Sequence, residues 1–424
     1  MNDMLIEQLL HQEVVPAIGC TEPIAVALCV AKARETLGCF PETIDVRLSP
    51  NLFKNAMGVG IPNTGMIGLP IAIALGATIG KSELLLEVIR DTTPAAVEQA
   101  KHYLTQTDMH ISVDYDTQEM LYIHVTVTAA NHRAVTVISG SHTHFTFVQK
   151  DDAVLYEDKT STDEMSSEQE PLTLHRVWEY ATTVPLDKLS FLDEVAQVNM
   201  SAADLSFVKD SGHGVGKMLH DHANHCIFGN TTFTKILAYT SGACDARMGG
   251  QMVEVMSNSG SGNQGIVATN PVVVYAQENN IDHETLLRAL ALSHLTVIYI
   301  KQTLGRLSAL CGCVVASIGS CCGLTMLMGG GYEEITYAVK NMVANITGMI
   351  CDGAKPGCAL KVTSGVGTAV LSAVLAMDHR HSNSLEGIVD DDVDQSIHNL
   401  TSLGKEAMRE TDRMILDVMM KKHS

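Results

Sequence analysis

Hydrophobic and polar positions along the chain predict helices at both ends and strands between them. Residues 2–37 predict two helices separated by a turn, in which Pro23 suits the first turn of the second helix because that position needs no N–H donor. Residues 43–48 alternate as a strand does, and a helix is expected at 93–105. From 172 to 424 nearly everything is predicted to be helical, with glycine-rich breaks between helices.

The pattern changes to β-structure in one part of the chain. Four runs there alternate and are rich in β-branched residues, and they are joined by short connections: 110–115, 120–128, 133–139 and 144–149. Successive strands with such short connections predict a β-meander. The following stretch, 157–170, is acidic, rich in Ser and Thr and without periodicity, so it is expected to be a linker.

Together these elements predict an α+β fold that is predominantly α-helical. We expect a large helical domain at 171–424, which holds most of the cysteines, and a smaller α/β domain with antiparallel strands at 39–170. The helices of residues 1–38 are expected to pack with the C-terminal helical core, so that the α/β domain is an insertion.

Composition and charge narrow the class of protein. The 424 residues are 46% hydrophobic and 18% charged, which is enough to build a large core. The net charge of −20 argues against nucleic acid or an anionic membrane as the main partner. The first 15 residues lack the basic start and apolar run of a signal peptide, so a cytoplasmic location is expected. Two uncharged stretches, 55–80 and 307–332, are interpreted as buried helices rather than membrane spans.

The cysteines give the strongest chemical signal. Cys351 and Cys358 flank a loop of Gly, Lys and Pro, and four more cysteines lie upstream at 311–322. Clustered thiols without a secretion signal favour a metal or iron–sulfur site over disulfides. The loop's backbone N–H groups could bond the sulfides of a cluster. The alternative for several of the eleven cysteines is that they are buried small hydrophobic residues.

Cys20 stands apart from the other cysteines, at the predicted start of a helix. A helix N-terminus stabilises a thiolate and lowers its pKa, so this residue is expected to act as a base, a nucleophile or a metal ligand. The alternative is a structural cysteine beside a capping Thr21.

Polar residues also gather in segments that could hold a substrate. The glycine-rich loop at 257–265 offers N–H groups and side-chain donors to a carboxylate or phosphate, although it could also be an ordinary helix connection. Lys54, Asn55 and Asn63 follow one predicted strand, and His142 follows another.

Four segments together resemble the L-cysteine desulfidase family, which is related to the alpha chain of iron–sulfur L-serine dehydratases. They are Gly-Cys-Thr-Glu-Pro at 19–23, Gly-Ser-Gly-Asn-Gln-Gly at 260–265, Gly-Cys at 312–313 and Cys-Asp-Gly-Ala-Lys-Pro-Gly-Cys at 351–358. The resemblance implies an oxygen-sensitive enzyme with a [4Fe–4S] cluster and without pyridoxal phosphate. It implies α,β-elimination of L-cysteine to pyruvate, ammonia and sulfide.

The resemblance also assigns roles to residues. It implies that Cys313, Cys351 and Cys358 bind the cluster, leaving one iron open as a Lewis acid toward the substrate's thiol. Cys20 matches the family's separate cysteine near the substrate and is the expected general base. The residues expected to bind the substrate's carboxylate and amine are Ser261, Asn263, Gln264, Lys54, Asn55, Asn63 and His142.

The chain departs from the family pattern in its crowded cysteines. Cys311, Cys321 and Cys322 surround Cys313, so Cys311 remains an alternative ligand. Only six residues separate Cys351 from Cys358. The corresponding loop of the serine dehydratase branch is longer, which favours the desulfidase branch.

Three other functions stay open. An iron–sulfur L-serine dehydratase would use the same chemistry with a hydroxyl leaving group. A pyridoxal-phosphate lyase would need a Ser-x-Lys lysine site, and no convincing one precedes the loop at 257–265. A non-enzymatic iron–sulfur sensor would need a signalling or DNA-binding module, for which the chain offers no basic patch. The expected partner is a small amino acid, with no nucleic acid and no membrane, and a homodimer is left open.

Overall fold

The computed structural model describes residues 1–117, 119–158, 172–221, 227–305 and 308–422. Its helices are α1 (Asp3–Glu13), α2 (Thr21–Leu37), α3 (Pro50–Ala56), α4 (Leu69–Thr78), α5 (Pro94–Leu104), α6 (Leu174–Thr183), α7 (Leu192–Val208), α8 (Val215–Asp221), α9 (Thr232–Met248), α10 (Gly262–Glu278), α11 (His283–Leu304), α12 (Gly312–Leu327), α13 (Tyr332–Ile346), α14 (Cys358–Met377), α15 (Val393–Ser402) and α16 (Arg409–Lys421). Its strands are β1 (Pro16–Ile18), β2 (Thr43–Leu48), β3 (Gly60–Ile61), β4 (Met66–Ile67), β5 (Asp108–Val113), β6 (Tyr122–Ala129), β7 (His132–Ser139), β8 (Phe145–Lys150), β9 (Ala153–Glu157) and β10 (Glu254–Met256). The predicted α+β class, predominantly helical, is confirmed.

Six strands form one mixed sheet in the order β5-β2-β6-β7-β8-β9. The predicted meander is confirmed for β6, β7 and β8, which pair antiparallel with their neighbours. Its first member was wrong: β5 does not pair with β6 but lies parallel to β2 at the edge of the sheet. The chain between β2 and β5 includes α3, α4 and α5, and such a long helical connection is what a parallel pair requires. Most of the predicted linker, 157–170, lies outside the described residues.

Helix α2 covers one face of the sheet. It packs against β6, β7 and α4, and its residues are buried almost all round. On β2 the side chains of Ile44, Val46 and Leu48 alternate toward this core. The shorter α1 packs instead on α11 of the helical part. The two N-terminal helices therefore contact different parts of the molecule, while the domain boundaries stay a prediction.

The helical part is built around α12. This helix contacts α10, α11, α13 and α14, and nearly all of its residues are buried. Its small side chains permit that close packing, since a Cβ added at Gly319 would lie 2.5 Å from the carbonyl oxygen of Ser293 on α11. The two uncharged stretches at 55–80 and 307–332 thus contain the buried helices α4 and α12, as predicted.

Helix α14 is long and apolar enough to cross a membrane by length and composition, among the described residues. In this structure 39% of its most apolar stretch is buried, and it packs on α9, α12 and α13. One such helix is weak evidence for a span, because core helices of soluble proteins have the same length and composition.

Candidate active site

Lys54 and the cysteine loop at 351–358 meet where the sheet-containing part contacts the helical part. Two close backbone approaches mark this contact. A Cβ added at Gly353 would lie 2.1 Å from the carbonyl oxygen of Lys54, and one added at Gly60 would lie 2.6 Å from the amide nitrogen of Gly250. Both positions therefore require glycine, because any side chain would force the two parts away from each other.

Cys311 and Cys351 lie side by side. A short antiparallel bridge joins their segments: the Cys311 N–H donates to the Met349 carbonyl (3.0 Å), and the Cys351 N–H donates to the Ala309 carbonyl (2.6 Å). The Cys311 thiol donates a hydrogen bond to Cys351 and lowers the pKa of Cys351 well below its usual value. The contact with Cys351, followed by burial, raises the pKa of Cys311.

Two lysines add positive charge at this pair of thiols. Lys54 and Lys361 both act on Cys351 and lower its pKa further. The side chain of Lys54 is only 2% exposed, and its ammonium is paired with Asp412 of the last helix, α16. Lys361, on α14, is paired with Asp352. Cationic surroundings of this kind favour a thiolate, which is the form that binds iron.

Cys313 and Cys358 complete the group of thiols. The Cys313 thiol donates to the Lys361 carbonyl (3.1 Å) and faces Gly365 of α14, where an added Cβ would lie 2.7 Å from the sulfur. Burial raises the pKa of Cys313 to about 12. Cys358 is the first residue of α14 and bonds the Gly353 carbonyl (3.7 Å), and burial raises its pKa as well. The charge of Cys358 also raises the pKa of Cys313, so these two sulfurs lie near each other. The four cysteines therefore form one group.

These residues fit an iron–sulfur cluster better than a single metal ion. Among the described residues, no three His, Cys, Asp or Glu side chains converge closely enough to hold one ion. A four-iron cluster spaces its thiolate ligands more widely than one ion does, and the four cysteines here are free. Cys351 and Cys358 are partly exposed, whereas Cys321 and Cys322 are fully buried in α12 and belong to the core.

Cys20 occupies the N-cap position of α2, as its sequence context predicted. Its thiol donates to Glu22 Oε2 (2.9 Å), and the Thr21 hydroxyl donates to the same oxygen (3.2 Å). The predicted lowering of the Cys20 pKa is wrong. Burial and then the Glu22 carboxylate raise that pKa well above its usual value, outweighing the helix terminus and the opposing effect of Arg247.

The loop at 257–265 leads directly into α10, with Ser261 as its N-cap. The Ser261 hydroxyl accepts from the Gln264 N–H (3.4 Å). The Gln264 side chain is 3% exposed and lies against Gly312, between Cys311 and Cys313, and its Oε1 has no hydrogen-bond partner. The Asn263 Oδ1 accepts from Arg247 Nη1 (3.1 Å). This loop therefore faces the group of thiols.

The remaining substrate-binding predictions have different surroundings. His142 lies in the turn between β7 and β8. Burial raises the pKa of the Glu22 carboxyl, but the charge of His142 lowers it, and the net pKa is lowered. Asn55 is partly buried on α3 next to Lys54, and Asn63 is exposed at the turn between β3 and β4. Contact of these side chains with a substrate stays a prediction.

Sequence reasoning did not single out Arg247, and it gave Glu22 no role of its own. The available signal for Arg247 was a pair of charged residues, Asp245 and Arg247, at the end of an otherwise uncharged stretch of α9. For Glu22 the signal was its place two residues after Cys20 on a helix start.

Comparison with known proteins identifies the family of the chain. Residues 83–417 match the family described as Serine dehydratase alpha chain, a range that includes all four cysteines of the group. A UPF0597 protein of Bacteroides fragilis is 61% identical over 97% of this chain and 96% of its own length. One from Bacteroides thetaiotaomicron is 59% identical over 98% and 97%, and one from Porphyromonas gingivalis is 48% identical over 98% of each chain. The chain therefore belongs to the UPF0597 family and carries a serine dehydratase alpha chain domain.

Proposed function

We propose that the protein is an iron–sulfur lyase that eliminates sulfide from L-cysteine to give pyruvate, ammonia and sulfide. The observation that carries this proposal is the group of four free cysteines 311, 313, 351 and 358, against which Gln264 of the loop at 257–265 lies. The serine dehydratase alpha chain domain supports a cluster-dependent elimination, since that reaction removes water from an amino acid in the same way.

The cluster, when bound, supplies a Lewis acid for the leaving group. Cys351 and Cys358 are its proposed ligands together with Cys313, the third ligand that the family resemblance implies. Cys311 competes for that third place because it touches Cys351 directly, whereas the Cys313 sulfur is turned toward α14. Lys54 and Lys361 stabilise the thiolate charge on this side of the site.

Cys20 is the proposed base of the reaction, and Glu22 is its hydrogen-bond partner. Cys20 must lose its own proton before it can take one from the substrate's Cα. That proton leaves to solvent, because the Glu22 carboxyl, whose pKa is held low, is a poor acceptor for it. Glu22 Oε2 instead orients the Cys20 thiol by accepting its hydrogen bond. Arg247 lowers the pKa of Cys20, against the effects of burial and Glu22, and thereby favours the thiolate. Because the site is buried, these charges act with little screening from water.

The first test is an anaerobic assay of the reconstituted protein with L-cysteine and L-serine side by side. We expect kcat/KM for L-cysteine to exceed that for L-serine, because a thiol is the softer ligand for iron and the loop between Cys351 and Cys358 is short. Release of sulfide and pyruvate would be measured directly. A serine value equal to or above the cysteine value would contradict the desulfidase proposal.

The second candidate is an iron–sulfur L-serine dehydratase, which the matched domain favours by its description. The same assay decides between the two, since serine turnover releases no sulfide. An absorption spectrum separates both from a pyridoxal-phosphate lyase. A cluster gives a broad brown band that dithionite bleaches, whereas a pyridoxal Schiff base gives a sharper yellow one.

The third ligand can be identified by comparing two variants. Cys311→Ser and Cys313→Ser would each be reconstituted anaerobically, and their iron and sulfide content measured. We expect the variant that lacks the true ligand to lose most of its iron, because two thiolates hold the cluster poorly, while the other keeps it. Full iron content in Cys313→Ser, with loss in Cys311→Ser, would transfer the role to Cys311.

A further inference from the structure

A buried arginine lies in the site without a carboxylate in direct contact. Arg247 is 4% exposed, in the last turn of α9. Its Nη1 donates to the neutral amide oxygen of Asn263, and its Nε has no hydrogen-bond partner. Within the part of the chain that the structure describes, no carboxylate forms an ion pair with it. Glu22 acts on Arg247 electrostatically but not as a direct partner. A buried guanidinium without a carboxylate in contact has donors left for a ligand, because burying an unpaired charge costs free energy.

The guanidinium also lies against the start of α10. A Cβ added at Gly262 would come 2.4 Å from Arg247 Nε and 2.8 Å from its Cζ, so the two groups are in contact only because Gly262 has no side chain. Helix α10 is 17 residues long, and its first turn carries the positive end of the helix dipole and N–H groups without helical acceptors. The guanidinium of Arg247 and the N-terminus of α10 are both positive and lie together in the protein interior. Together they favour the binding of an anion.

The position of this anion site relative to the other groups suggests its ligand. Arg247 acts electrostatically on both Cys20 and Glu22. Glu22 is itself held by Cys20 and Thr21. An anion at Arg247 would thus sit next to the proposed base. On the other side, the unpartnered Gln264 Oε1 lies against Gly312, beside the thiols.

We propose that Arg247 and the first turn of α10 bind the α-carboxylate of the amino-acid substrate. A guanidinium presents paired N–H donors that match a carboxylate. Gln264 Oε1 then accepts from the substrate's ammonium group. The Cα hydrogen is left toward Cys20 and the β-substituent toward the cysteines. This inference rests on the proposed elimination for its substrate, but the anion site itself does not.

The test measures binding rather than turnover. L-alanine keeps the carboxylate and the ammonium but has no leaving group, and ethylamine lacks the carboxylate. Both would be titrated calorimetrically into the anaerobically reconstituted protein and into Arg247→Gln and Arg247→Lys. The matched control is Arg34→Gln: Arg34 also has a buried Nε without a partner, but it lies in the last turn of α2, roughly 20 Å along the helix from Cys20.

A second variant keeps the test decisive if Arg247→Gln fails to fold. Asn263→Asp places a carboxylate of nearly the same shape beside Arg247, where the asparagine oxygen already accepts a hydrogen bond. The introduced charge pairs with the guanidinium and competes with the ligand, without leaving the cation unpaired. A thermal melt of each variant checks that the protein is folded.

We expect the Kd for L-alanine to rise roughly 10- to 100-fold in Arg247→Gln and Asn263→Asp, and less in Arg247→Lys, which keeps the charge but loses the paired donors. Arg34→Gln should bind as the wild type does, and ethylamine should bind more weakly than L-alanine in the wild type only. Wild-type protein that does not bind L-alanine, or an Asn263→Asp variant within twofold of wild type, overturns the inference.

These outcomes are separable from the proposed reaction. If L-alanine affinity depends on Arg247 but neither cysteine nor serine is turned over, the proposed function fails and the anion site stands. If cysteine is turned over while L-alanine affinity is unchanged in folded Arg247→Gln, the carboxylate is bound elsewhere and only this inference fails.

Discussion

Replacing Cys351 or Cys358 by Ala is expected to abolish the cluster and, with it, turnover. Cys351 is the thiol whose pKa is lowered by Cys311 and by the two lysines, so it is the strongest thiolate ligand of the group. Cys358 begins α14 at the other end of the same glycine-containing loop. Without either sulfur the cluster loses one of its proposed ligands. Iron, acid-labile sulfide and the visible spectrum would be measured after anaerobic reconstitution.

The matched control for these variants is Cys39→Ala. Cys39 is an exposed free cysteine in the connection between α2 and β2, away from the group of thiols. It should reconstitute as the wild type does. Wild-type iron in both Cys351→Ala and Cys358→Ala would refute the cluster site. Equal loss in all three variants would point to failed reconstitution rather than to a missing ligand.

Two segments far apart in sequence, α3 and α16, contact each other beside the group of thiols. Lys54 belongs to α3 and is buried, and its ammonium pairs with Asp412 on α16, 358 residues later. The carbonyl oxygen of Lys54 meanwhile lies against Gly353 in the cysteine loop. The helical part and the sheet-containing part are thus joined at the place where the thiols lie.

Local sequence was sufficient for elements whose signals are short-range. The helix expected at 93–105 is α5: Thr93 caps it through a hydrogen bond from the Ala96 N–H, and Pro94 occupies its first turn, where no N–H donor is needed. On β6 buried and partly buried side chains alternate, as its sequence pattern does, whereas β7 is buried on both faces over residues 134–138. The parallel pairing of β5 with β2 was not predicted. It depends on how the three helices between the two strands fold back along the sheet, and the local sequence of β5 carries no signal for that.

The chemistry of the site was harder to predict, for the same reason. Cys20 was expected to be acidic because it begins a helix, and that position is correct. Its pKa is nevertheless raised, since burial depends on the hairpin of β3 and β4 that covers this turn: an added Cβ at Gly19 would lie 3.1 Å from Pro62. Arg247 is more than 200 residues away in sequence and joins the site only through the fold.

Cys20→Ala is expected to keep the cluster and lose turnover by roughly 10²- to 10⁴-fold, the usual effect of removing a general base. The sulfur donates to Glu22 and is not part of the group of four cysteines, so the brown chromophore should remain. Loss of the chromophore would instead make Cys20 a ligand. Cys29→Ala is the matched control, because Cys29 is a buried thiol of the same helix that contacts Thr136 of the sheet.

The pH dependence of kcat tests the role of Cys20 further, because it would not change if Cys20 were only a structural residue. Burial and Glu22 raise the pKa of Cys20, so at neutral pH the residue is a thiol, and its base form becomes more abundant as the pH rises. Wild-type kcat should therefore increase with pH through the neutral range, and Cys20→Ala should lose this increase. In Glu22→Gln the neighbouring negative charge is removed, so the Cys20 pKa falls and the rise in kcat should move to lower pH. Three other groups face this pair: Thr21, His142 and Arg247. An unchanged profile in both variants would show that another residue removes the Cα proton.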